Sequence, residues 1–167
     1  MVALVIVVGL FAGVWDRYRS QHHSKNVLFY RIGISDHDEE RNANGWRMAT
    51  LSALRRKLHH VDDVIDYLKM DVEGAEWAVL QRWIQDGDLS RVKQLAVEVH
   101  LEEPDSIPWK YSIIRQLESS GFVRFFSRPN PWSAGVYLDQ FNVSNPSCYE
   151  LAWYNSKFLT SNTANQL

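Results

Sequence analysis

VIDYLKMDVEGAEW, Val64 to Trp77, is the stretch on which the reading of this chain turns. Val64 to Asp71 is rich in strand formers and ends in a cluster of acids, Asp71, Glu73 and Glu76. Gly74 gives the backbone the freedom to close a tight turn. A helical run from Ala75 to about Gln85 follows, broadly apolar through Trp77, Val79, Leu80, Trp83 and Ile84, and Gly87 stops it. In an open α/β sheet, ligands and chemistry collect outside the carboxyl ends of parallel strands. Asp71 and Glu73 stand at such an end.

Toward the C-terminus, Val92–His100 reads as the next strand, with Leu95, Val97 and Val99 on one face and Ala96 and Glu98 on the other. Pro108 suits the first turn of a helix. Trp109, Ile113 and Leu117 mark that helix's apolar face, and Gly121 ends it. Phe122–Phe126 is a strand, Ser127–Ser147 a long loop, and Cys148–Tyr154 a closing strand. With no helix between these last two strands, they are expected to form an antiparallel hairpin at one edge of the sheet.

Toward the N-terminus, Thr50 is a helix N-cap ahead of Leu51, Leu54 and Leu58, with Arg55, Arg56 and Lys57 turned to solvent. His59 and His60 close that helix at the surface. Val27–Ile34 is a strand that stops at Ser35-Asp36. Val2–Trp15 carries no charge, yet falls short of the roughly 20 apolar residues that span a bilayer. It admits three readings: a membrane anchor or signal segment, a buried strand, or an incomplete gene model at Met1.

Strands separated by helices imply parallel βαβ units, so the fold class is α/β. The expected division is an apolar segment at 1–15, a linker at 16–26, one domain at 27–155 and a tail at 156–167. A chain of 167 residues, 46% of them apolar, is long enough to bury a core as one domain. Lys and Arg outnumber Asp and Glu by 9 to 5 in residues 1–60, and are outnumbered 9 to 15 thereafter. That gives no basic stripe for nucleic acid. The single cysteine, Cys148, excludes an internal disulfide and a cysteine-only zinc site.

Three strand ends carry candidate chemistry: Ser35-Asp36, Asp71 with Glu73, and Glu98 with His100. Neighbouring parallel strands would bring the second and third together. Two carboxylates beside a histidine suit general acid–base work, and the same donors suit a divalent metal. The plainer alternative is that Glu73 and Glu76 favour the positive end of the following helix, and that Glu98 is a hydrogen-bonded strand residue. Asn142-Val143-Ser144 is a glycosylation sequon, relevant on a secretory route.

Ile65–Trp77 resembles the fourth-strand signature of FkbM-type S-adenosylmethionine-dependent methyltransferases. Trp46–Leu54, Gln94–Leu101 and Cys148–Asn155 resemble the animal methyltransferase-like 24 type branch. The resemblance covers about Phe29 to Asn155. It implies a partial Rossmann-like sheet, mostly parallel with a C-terminal antiparallel hairpin, and methyl transfer from S-adenosylmethionine to an oxygen nucleophile on a small molecule or glycan. On that basis Ser35 and Asp36 lie near the cofactor's adenine. Asp71 is the catalytic base or orienter, and Glu73, Glu98 and His100 line the acceptor side. The resemblance stops before the strand and glycine-rich turn that hold the cofactor's methionine part, so this cofactor-binding half is expected to be missing or replaced. Two rival functions follow: a non-catalytic, membrane-tethered or interaction protein built on the same fold, and a divalent-metal hydrolase using Asp71, Glu73, Glu98 and His100.

Overall fold

The computed structural model describes residues 5–9, 21–25, 27–43, 45–102, 104–138 and 142–159. The strands are β1 (Val5–Gly9), β2 (Gln21–Ser24), β3 (Val27–Phe29), β4 (Gly33–Ile34), β5 (Met48–Ala49), β6 (Tyr67–Asp71), β7 (Gln94–His100), β8 (Phe122–Pro129), β9 (Gly135–Leu138), β10 (Val143–Pro146) and β11 (Cys148–Asn155). The helices are α1 (Leu51–Lys57), α2 (Glu76–Asp86) and α3 (Ile107–Ser119). This is the mixed α/β architecture that the alternation of strand and helix patterns predicts.

The main sheet runs in the order β1-β6-β7-β11-β8. β1, β6 and β7 are parallel neighbours, and β11 is antiparallel to both β7 and β8. The last two strands of the main sheet, β8 and β11, thus pair antiparallel at one edge, as expected, and the last strand is the inner of the two. It inserts between β7 and β8, and leaves β8 at the edge. The physical reason is burial. Cys148, Leu151, Ala152 and Trp153 of β11 are all buried, whereas β8 exposes most of its length after Phe122. Part of the predicted long loop, Ser127–Ser147, is itself ordered as the end of β8 and the β9–β10 hairpin.

β1 lies inside the uncharged opening stretch and pairs with β6 from Val5↔Tyr67 to Gly9↔Asp71. A parallel strand thus stands where the cofactor-binding half was expected to be missing. It is built from β-branched residues rather than a glycine motif. Among the described residues no helix is long and apolar enough to cross a membrane. Gln21–Ser24, inside the predicted linker, forms a small antiparallel pair with β3, and the predicted strand Val27–Ile34 is divided into β3 and β4.

Alternation along the strands gives the sheet two unlike faces. Leu68, Met70, Leu95, Val97, Val99, Leu151 and Trp153 are buried in the core with Trp77, Val79, Leu80 and Trp83 of α2 and Ile113, Ile114 and Leu117 of α3. Lys69, Asp71, Ala96, Glu98, His100, Cys148 and Glu150 belong to the other set of positions. Each fully buried aliphatic side chain contributes roughly 1.5–3 kcal/mol, so this core fixes the register that sets the polar side chains.

Three helical residues, Trp109, Lys110 and Arg55, depart from simple periodicity. Trp109 is 42% exposed, while its neighbour Lys110 is buried. Lys110 Nζ donates to the His100 carbonyl at 3.2 Å and lies 5.7 Å from the Trp77 ring centre, so the ammonium has partners where it is buried. Arg55, expected in solvent, is also buried. Its guanidinium donates to the carbonyls of His60, Val61 and Asp63 at 3.1, 2.7 and 2.8 Å, tying down the chain that leaves α1.

Candidate active site

The turn after β6 creates the site. Glu73 adopts φ 52° and Gly74 φ 103°, both outside the region most side chains favour. This reversal starts α2 at Glu76 and folds the Glu76 side chain back, where its Oε1 accepts the Gly74 amide at 3.0 Å. Glu76 is fully buried, and the same Oε1 receives the His100 Nδ1. Glu76 was read as a helix-end acid. Its larger role is to anchor a histidine from the next strand.

The carboxyl ends of β6 and β7 meet as the sequence suggests. The Asp71 and Glu98 carboxyls act on one another, each shifting the other's ionisation. Burial and the neighbouring Glu98 carboxyl push Asp71 up to about 6. Burial acts in the same sense on Glu98, but the Cys148 thiol, the Asn130 amide and Asp71 outweigh it and hold Glu98 below the usual range. Asn130 Nδ2 and Cys148 Sγ reach Glu98 Oε1 at 2.8 and 2.7 Å. Of the two, Asp71 is therefore the carboxyl that keeps its proton to the higher pH, and above about 6 it is the free carboxylate. Lys69 Nζ bonds Glu150 Oε2 at 2.7 Å, spanning β7 where the small Ala96 is Lys69's register partner.

His100 is the hinge between this carboxylate pair and α2. Its Nε2 lies 3.4 Å from Glu73 Oε2, and its carbonyl accepts Trp77 Nε1 at 2.8 Å. Burial lowers the imidazole's pKa, but Glu76, Glu102 and Glu73 together raise it above the ordinary histidine value. Of the predicted residues, Asp71, Glu73, Glu98 and His100 thus come together in one cluster.

Ser35 and Asp36 follow β4 and form a separate group. The Ser35 hydroxyl donates to Asp36 Oδ1 at 3.1 Å, and His37 Nδ1 lies 2.8 Å from the same oxygen. The His37 bond holds Asp36 below the usual carboxylate range. Asp36 lines an open depression with His37, Asp38, Thr50, Ser52, Arg56, Arg82 and Asp86, which contains none of the Asp71 cluster.

Sequence reasoning missed Asn130, Cys148 and Lys110. Asn130 lay in a segment read as loop, and Cys148 was counted only as an absent disulfide partner. The register Cys148↔His100, which brings the thiol to the site, exists only once β11 is placed beside β7.

A family profile described as a methyltransferase domain matches residues 8–154, a span that takes in all three candidate groups. Probable methyltransferase-like protein 24 of Homo sapiens is 37% identical over 153 residues, covering 81% of this chain and 40% of that protein. Probable methyltransferase-like protein 24 of Rattus norvegicus is 34% identical over 105 residues, covering 56% of this chain and 28% of that protein. The chain spans less than half the length of these curated relatives. With the match running from the end of β1 to the penultimate residue of β11, the chain belongs to the methyltransferase-domain family.

Proposed function

We propose that this chain carries the reacting part of an S-adenosylmethionine-dependent methyltransferase that acts on an oxygen nucleophile of a small molecule or glycan. The observation that carries the reading is the Asp71–Glu98 carboxyl pair at the carboxyl ends of two adjacent parallel strands, inside the matched domain. The sheet order, with reversed β11 between β7 and β8, supports a Rossmann-like methyltransferase sheet.

S-adenosylmethionine, when bound, supplies an electrophilic methyl group on a positively charged sulfur. The residues present fit such a group. Gly9 closes β1 in register with Asp71 and puts no side chain over that strand end, and the exposed Asp36 offers a carboxylate to a hydroxyl beyond β4. Asp71 and Glu98 together present acceptor oxygens to an incoming hydroxyl, and Asp71 orients it or takes its proton as the new C–O bond forms. Their negative charge also suits a cationic donor nearby. His100, fixed by Glu76, and Glu73 border the acceptor side.

Calorimetry of the whole chain with S-adenosylmethionine, followed by transfer assays on a panel of hydroxyl compounds and glycans, tests this. Binding that survives Asp71→Asn, with methyl transfer lost, is the expected pattern. No heat at millimolar cofactor rejects it for this chain.

A further inference from the structure

Glu98, His100 and Cys148 each offer one ligand atom, and these atoms all lie within 4.8 Å of one another. The arrangement follows from two strands. Glu98 and His100 are two residues apart on β7 and so share a face, and Cys148 is the register partner of His100 on β11. Three donor types thus converge: a carboxylate, an imidazole and a thiol. We propose that this trio binds a borderline divalent cation, with Zn²⁺ the ion it suits best.

The donor chemistry selects the ion. A thiolate ligand disfavours Mg²⁺ and Ca²⁺, which take oxygen, and mixed S, N and O donors match zinc. The support around His100 points the same way. Ligand histidines almost always give their other ring nitrogen to a carboxylate or carbonyl, which fixes the tautomer and aims the ring. His100 Nδ1 is bonded to Glu76, a carboxylate with no solvent exposure whose Oε1 is itself held by the Gly74 amide. That makes Nε2, which faces Glu73 Oε2 at 3.4 Å, the ring nitrogen open to a cation. Asn130 Nδ2 holds Glu98 Oε1 at 2.8 Å from outside the trio. Three protein ligands leave a fourth position open.

Loading is balanced simply. The Cys148 S–H bond breaks, a sulfur–metal bond forms, and the thiol proton passes to solvent; a charged His100 also gives its Nε2 proton to solvent, so uptake of the ion releases at least one proton per chain. His100, with its side chain 14% exposed, is the more open of the ligands that flank the buried thiol.

The full chain, stripped with a chelator and titrated with Co²⁺ as a spectroscopic probe, tests this without any methyl donor. The sequence contains one cysteine, so a thiolate-to-cobalt charge-transfer band can come only from Cys148. The expected result is that band at one equivalent, its displacement by Zn²⁺, and its loss in Cys148→Ser. Glu76→Gln should keep the band but weaken binding by about 10–100-fold, as a residue that positions a ligand does. Absence of the band in the unaltered chain overturns the proposal, and so does a band with unchanged affinity in His100→Ala. Neither result bears on whether the chain binds S-adenosylmethionine.

Discussion

His100 on β7 is bonded through Nδ1 to Glu76, the fully buried first residue of α2. This contact joins the second parallel strand of the site to the helix that follows the first. Among the described residues Glu76 Oε2 finds no hydrogen-bond partner, so the interaction rests on one oxygen shared by the imidazole and the Gly74 amide.

Removing Glu76 should therefore cost far more than a surface acid would. Glu76→Ala takes the shared acceptor from the half-buried His100 Nδ1 and from the Gly74 amide, at about 1–3 kcal/mol. Glu76→Gln keeps an acceptor for the amide and should cost less. The pKa of His100 should fall toward the ordinary histidine value in both, as read by NMR titration. Because the folded pKa of His100 is raised, its contribution to stability is full below the unfolded value of 6.5 and is lost as pH rises through the folded value. Urea midpoints of metal-free protein on either side of that window should show this loss, and show less of it in the Gln variant.

Asp71 works in the opposite sense to an ordinary ion-paired acid. Its folded pKa stands at about 6, above the ordinary 3.8, so between these values the folded state holds the extra proton. Stability is full below the unfolded value and declines between the two as pH rises. Asp71→Asn supplies an amide donor to Glu98 without the charge. It should leave metal-free stability nearly unchanged at the acid end and raise it above the folded pKa by about 1 kcal/mol, the figure being discounted for solvent screening. A melting curve equally shifted at both ends would sink this account.

The pairing of Asp71 with Glu98 was legible because both lie at the ends of apolar runs separated by one helical segment, and the βαβ rule makes such strands parallel neighbours. The rule holds here because Leu68, Met70, Leu95 and Val97 all need the same buried face. β1 was readable only as one of three alternatives, since an uncharged run alone does not tell a central strand from a membrane segment. Arg55 was misjudged, and the burial of Lys110 and Glu76 missed, for a common reason. Periodicity assigns charged residues to solvent, but a buried charge is decided by partners, and those partners are carbonyls and side chains set by tertiary structure. Cys148 became a site residue through strand register, which has no local signature before the neighbour of β11 is known.

Arg55 shows how much such partners matter. Arg55→Met keeps the stem and removes the donors to His60, Val61 and Asp63, leaving three carbonyls to find water. A loss of about 2–3 kcal/mol is expected, and Arg55→Lys should recover less than half of it because one ammonium does not reproduce the planar fork. Chemical denaturation with unchanged m-values would locate the loss in the folded state. Arg56→Met on the next position of α1 is the control, and it should lie within about 0.5 kcal/mol of the unaltered chain.

Gly74 separates backbone requirements from space at the site itself. A Cβ built there meets no atom within 4 Å, so Gly74→Ala tests conformation alone. At φ 103° an L-residue is strained, and the substitution should cost about 1–3 kcal/mol. Gly87, the left-handed cap of α2 at φ 71°, is equally open, and its alanine variant should cost about 1 kcal/mol. The two differ in reach. Shifting the Gly74 amide disturbs its bond to Glu76 Oε1, and with it the support of His100. Gly74→Ala should therefore move the His100 titration while Gly87→Ala leaves it in place. An unmoved titration in both would mean that the turn merely carries the chain from β6 to α2, and does not set the histidine.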